Sequence, residues 1–298
     1  MSRLRPALAL LAWGMCASAH ALQMMTMKLD NGAEVLVLQD CANSKDYTCQ
    51  PYEKSFSTGD SARLERVLSQ RGFQEVLLVS GGGNLDEGVK VGEVLRRYGA
   101  AVRVPSGQAC VSACTVAFLG GVIRTVDADA TYEVHAYSGV RSGLADDDRA
   151  RMVSYPDREL EHMALNERKT ARHWAERLFS YAQRMIGGTP NGPAIRAALA
   201  LSDGQKSSYI ASGQLARDIQ LIRQEGAAAA HTATMNIERS SMEDAIALLR
   251  THVSTLGTRS EHALNILDTM FSSAIIRTAP LTQETLLRMG YITPVVGR

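Results

Sequence analysis

The feature of this 298-residue chain that most restricts its fold is a short apolar run that ends in three glycines. Residues 75–80 (Glu-Val-Leu-Leu-Val-Ser) lead into Gly81, Gly82 and Gly83, and a second apolar run follows at 101–104. A continuous apolar run of this length is typical of a strand buried on both faces of a parallel sheet. Because a strand–turn–helix–strand unit needs a right-handed crossover, the sequence predicts an α/β fold.

Other patterns predict the elements around this unit. The pair Asn31-Gly32 between two β-prone runs indicates a hairpin with a type I′ turn. Asn84 and Glu87 have the spacing of a helix N-cap and its reciprocal acid. Helices are predicted over residues 60–70, 85–98, 115–119 and 157–186, a short helix is predicted to begin at Pro193, and a turn with a helix is predicted over 208–215. Strands are predicted over 101–104, 132–135 and 218–222.

The domain organisation follows from the two ends of the chain and an Ala-rich stretch. Residues 224–232 are Ala-rich and polar, which indicates a linker before a mostly helical segment. We therefore predict a leader over 1–21, an α/β domain over 22–225 and a helical C-terminal extension over 233–298.

The first 21 residues have the order of a secretory signal. Arg3 and Arg5 precede an apolar stretch at 6–13, and residues 19–21 (Ala-His-Ala) have the A-x-A form of a cleavage site. The apolar stretch is too short to span the ~30 Å hydrocarbon core of a bilayer. We therefore expect cleavage after Ala21 and export, most simply to a periplasm.

Composition excludes nucleic-acid partners. The chain has 32 Lys and Arg against 31 Asp and Glu, a formal net charge of +1, so it has no overall field that attracts a polyanion. Aromatic residues make up only 5%, too few for a platform on which bases stack.

Four cysteines lie beyond the leader: Cys41, Cys49, Cys110 and Cys114. In an oxidising compartment an even count favours disulfides, and Cys41 and Cys49 bracket a polar loop that such a bond would close. For Cys110 and Cys114 two interpretations stay open, a disulfide or two small buried residues under a helix. Neither region has His or further Cys at ligand spacing, so no metal site is predicted.

Three candidates for chemistry follow one another along the chain. They are the glycine turn (Gly81, Gly82 and Gly83, after Ser80), Ser112 between two cysteines, and His135 at the end of a predicted strand. Acyl transfer needs a nucleophile, a base and N–H donors where an oxyanion develops. Ser112 stands where loop becomes helix, beside free backbone N–H groups, and the glycines follow a buried strand. Each feature alone also has an ordinary structural explanation.

Together these features resemble the Clp-protease/crotonase superfamily, and specifically its Clp-protease-like serine peptidases. Residues 80–83 (Ser-Gly-Gly-Gly) stand where that family has an S-P-G-G turn. Gly107-Gln108-Ala109 followed by Ser112 resembles the nucleophile segment, and Val134-His135 resembles the strand that carries the base. With the leader, the C-x-S-A-C form is similar to a poorly characterised periplasmic group. The resemblance covers roughly residues 55–222.

The resemblance implies a fold and a set of site residues. The fold is a ββα spiral core with a mostly helical C-terminal extension. Ser112 would be the nucleophile and His135 the general base. The N–H of Gly82 or Gly83, together with that of Ala113, would form the oxyanion hole.

The chain departs from the family pattern in three places. Gly81 replaces a proline, one additional residue separates 107–109 from Ser112, and Ser207 takes the place of the family's Asp. Asp203, four residues earlier, is the candidate for the acid that orients the histidine.

The function implied by the resemblance is that of an exported serine hydrolase, most simply a peptidase without a cofactor. Since exported compartments lack ATP, no ATPase partner is expected and the substrates would be peptides or unfolded proteins. Superfamily members form trimers or larger rings, which is compatible with a homo-oligomer. The alternative is a non-catalytic binding or assembly module on the same fold. A Ser–Lys dyad through Lys90 and an acyl-CoA enzyme are both disfavoured.

Overall fold

The computed structural model describes residues 22–29, 31–40, 55–135, 150–200, 208–272 and 279–293. The predicted leader, the Cys41–Cys49 pair and Asp203 lie outside these residues. The strands are β1 (Leu22–Lys28), β2 (Glu34–Asp40), β3 (Glu75–Val79), β4 (Ala101–Val104), β5 (Ala109–Val111), β6 (Ile123–Val126), β7 (Thr131–Val134) and β8 (Ala279–Pro280). The helices are α1 (Asp60–Gln70), α2 (Leu85–Arg97), α3 (Ala113–Phe118), α4 (Asp157–Met185), α5 (Gly192–Leu199), α6 (Ser208–Ala211), α7 (Gln214–Glu225), α8 (Ala227–Thr251), α9 (Ser260–Ser272) and α10 (Gln283–Arg288).

Within the described residues, the strands form two sheets. The larger has the order β1-β2-β3-β4-β6 and is parallel except for β1, and the smaller has the order β5-β7-β8. Along the chain, β4 joins the larger sheet, β5 joins the smaller one, and α3 follows. β6 and β7 repeat the same alternation between the sheets. This repetition of strand, strand and helix confirms the predicted α/β spiral core.

The local signals around the first strands are largely confirmed. β1 and β2 form an antiparallel hairpin, with Gly32 at a φ of 81° in its turn. Asn84 caps α2, since its side chain accepts a hydrogen bond from Glu87 N–H at 3.0 Å. The carboxylate of Glu87 does not close the reciprocal bond. It accepts instead from Gly59 N–H at 3.1 Å and from Ser61 N–H at 2.7 Å, and so caps α1.

The strand predicted over 218–222 is wrong, because these residues belong to α7. Leu215, Asp218 and Ile222 are the buried residues of α7, and they have the spacing of one helix face. Asp218 accepts hydrogen bonds from Tyr209 Oη at 2.5 Å and from Asn236 Nδ2 at 2.9 Å. A short apolar run does not distinguish a strand from a buried helix segment, and these partners on α6 and α8 favour the helix.

The linker predicted over 224–232 is also wrong, because α8 begins at Ala227. Gly226, at a φ of 72°, separates α7 from α8, and alanine has the highest intrinsic helix propensity. Ala230 and Ala233 are buried, since their small side chains face neighbouring helices. The Ala-rich stretch is therefore a helix start that packs against the rest of the molecule.

The C-terminal segment is mostly helical among its described residues, as predicted, and it packs on the same hydrophobic core as the sheets. β8 adds an antiparallel strand to β7. Arg124, buried on β6, donates from Nε to Tyr291 C=O at 2.5 Å and from Nη2 to Gly290 C=O at 3.0 Å. Among the described residues, no helix combines the length and apolar character needed to cross a bilayer.

Candidate active site

The carboxyl ends of β3, β5 and β7 meet at one edge of the core. Just beyond β3, Ser80 forms a parallel bridge with Cys110, and Val111 N–H donates to Ser80 C=O at 2.9 Å. β5 runs parallel to β7, and Ser112 N–H donates to Glu133 C=O at 3.1 Å. The three features singled out from the sequence therefore leave adjacent parallel strands at the same end, where α/β sheets place ligands.

Ser112 has a strained backbone at the turn from β5 into α3. Its φ is 57° and its ψ is −126°, a conformation that L-residues rarely adopt and that costs about 1–3 kcal/mol. Its side chain is half-buried. A serine held at a sharp strand-to-helix turn presents its hydroxyl beside the unpaired N–H groups of the helix start.

The glycine turn comes into direct contact with Ser112. A Cβ added at Gly82, which has a φ of 106°, would lie 2.5 Å from Ser112 Cβ and 2.7 Å from Val111 C=O. A Cβ added at Gly83 would lie 2.6 Å from Ser55 Cβ. Since neither position has room for a side chain, the turn is held between Ser55 on one side and Ser112 on the other.

The N–H groups of the glycine turn differ in what they bind. Gly82 N–H donates to Ser80 Oγ at 3.0 Å, so this donor is already engaged. Within the described part of the chain, no group accepts a hydrogen bond from Gly83 N–H or from Ala113 N–H. Of the two glycines in the sequence hypothesis, Gly83 is therefore the one whose N–H is available.

Asp40 is a buried residue of this region that the motifs do not reveal. It ends β2, opposite the end of β3, and it is only 6% exposed. Its Oδ1 accepts from Ser80 Oγ at 2.5 Å and its Oδ2 accepts from Gly81 N–H at 2.7 Å. Burial raises the pKa of Asp40 above its ordinary value, although both hydrogen bonds act to lower it. The available sequence signal is an acid at the end of the apolar strand that pairs with the glycine-turn strand.

His135 directly follows β7 and is half-buried. Alternation along the strand places Tyr132 and Val134 in the core and His135 on the opposite face, together with Glu133. His135 thus lies at the end of the strand next to the one that carries Ser112. The structure brings the glycine turn and Ser112 into contact and places His135 on the neighbouring strand.

Two further expectations concern the orienting acid and metal ions. Asp203, the candidate acid, lies outside the described residues. Among the residues that are described, no group of three or more His, Cys, Asp or Glu is positioned to hold a metal ion.

A disulfide brackets Ser112. Of the two interpretations of Cys110 and Cys114, the structure contains the bond, with the sulfurs 2.01 Å apart and the Cα atoms 5.4 Å apart. Both cysteines are fully buried. The bond ties β5 to α3 across the turn that Ser112 occupies.

Replacing both Cys110 and Cys114 by alanine should lower the free energy of unfolding by about 2 kcal/mol, because a closed loop this short restricts the unfolded chain only modestly. Urea unfolding of the oxidised wild type and the double variant would measure the difference. The control is the same pair under reducing conditions, where the difference should shrink. Equal midpoints for the two proteins under oxidising conditions would contradict the expectation.

Comparisons with known proteins find similarity only to solved structures, at low sequence identity. No protein-family model and no curated protein matches the chain. Similar solved structures include a carnitinyl-CoA dehydratase from Mycobacterium thermoresistibile, with 14% identity, 83% of this chain and 74% of that chain covered, and a TM-score of 0.28. A probable enoyl-CoA hydratase/isomerase from Mycobacterium abscessus shares 12% identity over 82% of this chain and 88% of its own, with a TM-score of 0.28.

The fold is an α/β spiral core with a mostly helical C-terminal segment. The alternation of strands between two sheets, with a helix after each pair, carries this conclusion. Likeness at these identities and TM-scores assigns no activity to the chain.

Proposed function

We propose that the protein is an exported serine hydrolase, acting as a peptidase, with Ser112 as nucleophile and His135 as general base. The observation that supports this most is the strained turn at Ser112, at the edge where the carboxyl ends of β3, β5 and β7 meet. Strain of this kind persists only where the surrounding structure enforces it, and it is concentrated at functional sites.

In this proposal each group has one chemical role. Ser112 Oγ attacks a peptide carbonyl carbon while His135 takes the hydroxyl proton, which then passes to the leaving amine. The negative charge on the carbonyl oxygen is met by N–H donors from Ala113 and Gly83, both free in the described structure. Water, activated by His135, then releases the acyl group from Ser112.

The disulfide and the predicted leader both support an oxidising compartment outside the cytoplasm, and the compartment in turn restricts the substrates. A bond between Cys110 and Cys114 is stable where the surroundings are oxidising, as they are beyond the membrane that residues 1–21 would cross. Because ATP is absent there, the enzyme acts alone on peptides and unfolded chains. The acid that orients His135 is Asp203 in this proposal.

The test is covalent labelling with a fluorophosphonate probe. Wild type should be labelled, Ser112→Ala should not, and His135→Ala should react about 100-fold more slowly because it lacks the base. Ser69→Ala, which removes an exposed serine hydroxyl on α1, is the matched control and should be labelled like the wild type. Wild type that has not been treated with the probe should also cleave peptides without added ATP, and labelling should abolish that cleavage.

Two results would reject the proposal. Equal labelling of wild type and Ser112→Ala would show that the probe reacts elsewhere. Absence of labelling in folded wild type would favour the alternative of a non-catalytic binding or assembly module on the same fold.

A further inference from the structure

A series of hydrogen bonds connects the buried carboxylate of Asp40 to the glycine turn. Its two carboxylate oxygens accept from Ser80 Oγ at 2.5 Å and from Gly81 N–H at 2.7 Å. Ser80 Oγ in turn accepts from Gly82 N–H at 3.0 Å. Both Asp40 and Ser80 are buried, so water does not compete for these bonds.

These hydrogen bonds restrict the backbone conformation of the glycine turn. Two consecutive N–H groups, those of Gly81 and Gly82, are engaged below the turn, which leaves Gly83 N–H as its free donor. Glycine residues have more accessible backbone conformations than any other residue, so a run of three needs external bonds to keep one arrangement. Asp40 and Ser80 supply those bonds.

We propose that Asp40 is a positioning residue for the reaction of Ser112, acting through Ser80 and Gly81 to fix the glycine turn so that Gly83 N–H stays available to the oxyanion. This inference rests on the proposed function. Asp40 would therefore affect the stabilisation of the transition state and not the binding of the substrate. The reason is that a misplaced Gly83 N–H weakens only its hydrogen bond to the oxygen on which negative charge develops.

The competing explanation is that Asp40 is a structural residue, and Asp60 is the matched control for it. Asp60 is also a buried carboxylate, 1% exposed, but it accepts from Ser57 N–H at 2.8 Å and from Arg63 Nη1 at 2.9 Å. It therefore shares the burial and ionic character of Asp40 without bonding to the glycine turn.

The experiment compares the full-length wild type with Asp40→Ala, Asp40→Asn, Ser80→Ala and Asp60→Ala. Fluorophosphonate labelling is followed over time at several probe concentrations, which separates the limiting rate, the half-saturating concentration and the final labelled fraction. We expect Asp40→Ala and Ser80→Ala to lower the limiting rate about 10- to 100-fold with the other two quantities unchanged. Asp40→Asn keeps one carbonyl acceptor and should recover part of the rate.

A second measurement does not depend on any activity. Hydrogen–deuterium exchange of the segment 79–85 should accelerate at least tenfold in Asp40→Ala and Ser80→Ala and stay unchanged in Asp60→Ala. If folded wild type is not labelled, the proposed function fails, and exchange alone decides whether Asp40 fixes the turn.

The outcomes divide cleanly between the two explanations. A loss of labelled fraction at an unchanged limiting rate would show that Asp40 only maintains folding, and would overturn the inference. An equal loss of rate in Asp60→Ala, or unchanged exchange of the turn in Asp40→Ala, would overturn it as well.

Discussion

Replacing Gly82 by alanine should slow the reaction of Ser112 with a fluorophosphonate more than 100-fold and should lower the free energy of unfolding by about 2–4 kcal/mol. The added Cβ would lie 2.5 Å from Ser112 Cβ and 2.7 Å from Val111 C=O, distances that atoms cannot occupy without a shift of the backbone. The φ of 106° adds strain that no rearrangement of neighbours removes. Labelling kinetics and urea unfolding measure the two effects.

Gly81→Ala is the matched control for this prediction. Gly81 does not have a positive φ, and its added Cβ would meet Asp40 Oδ2 at 3.4 Å, an ordinary contact. The N–H of residue 81 is also retained, so its bond to Asp40 can persist. We expect less than a threefold change in the rate of labelling. If both variants behaved alike, the close approach of Gly82 to Ser112 would not be what matters.

The fold could be predicted where a local signal has one physical interpretation. Three glycines after an apolar run, an Asn-Gly pair between two β-prone runs, and an N-cap before an apolar face gave β3, the hairpin and α2. The wrong predictions concern the segments that form α7 and the start of α8. Residues 218–222 and 224–232 lack a local signal that separates their alternatives, and contacts with helices distant in sequence decide them.

The site divides in the same way. Ser112 and the glycine turn are found as motifs because each is contiguous, and the parallel pairing of β3, β5 and β7 brings them together. Asp40 contributes through a bond to a residue 40 positions away, so only the folded sheet shows it. The bond from Gly82 N–H to Ser80 Oγ is local, but the motif does not show which glycine N–H is engaged. Sequence alone therefore names a candidate nucleophile and does not reveal the bonds that hold its surroundings.

The second large effect is a pH dependence of stability that originates between helices α4 and α8. Glu167 on α4 is buried, and burial together with the like charge of Glu238 raises its pKa from 4.5 to about 8. A raised carboxyl pKa means that the folded state favours the proton. The stability contributed by protonated Glu167 is therefore complete below pH 4.5 and is lost as the pH rises through 8. Over that interval, the loss from Glu167 is about 4 to 5 kcal/mol.

Glu167→Gln should remove this dependence, because glutamine keeps the shape of the protonated acid and never ionises. Urea unfolding between pH 5 and 9 should show wild type losing stability toward pH 9, while Glu167→Gln changes far less and is the more stable protein at pH 9. Glu161→Gln, an exposed position on the same helix, is the control and should follow the wild type. Parallel curves for wild type and Glu167→Gln would mean that residue 167 ionises as freely in the folded helices as in the unfolded chain. The buried carboxylates between α4 and α8 would then not limit stability in alkaline solution.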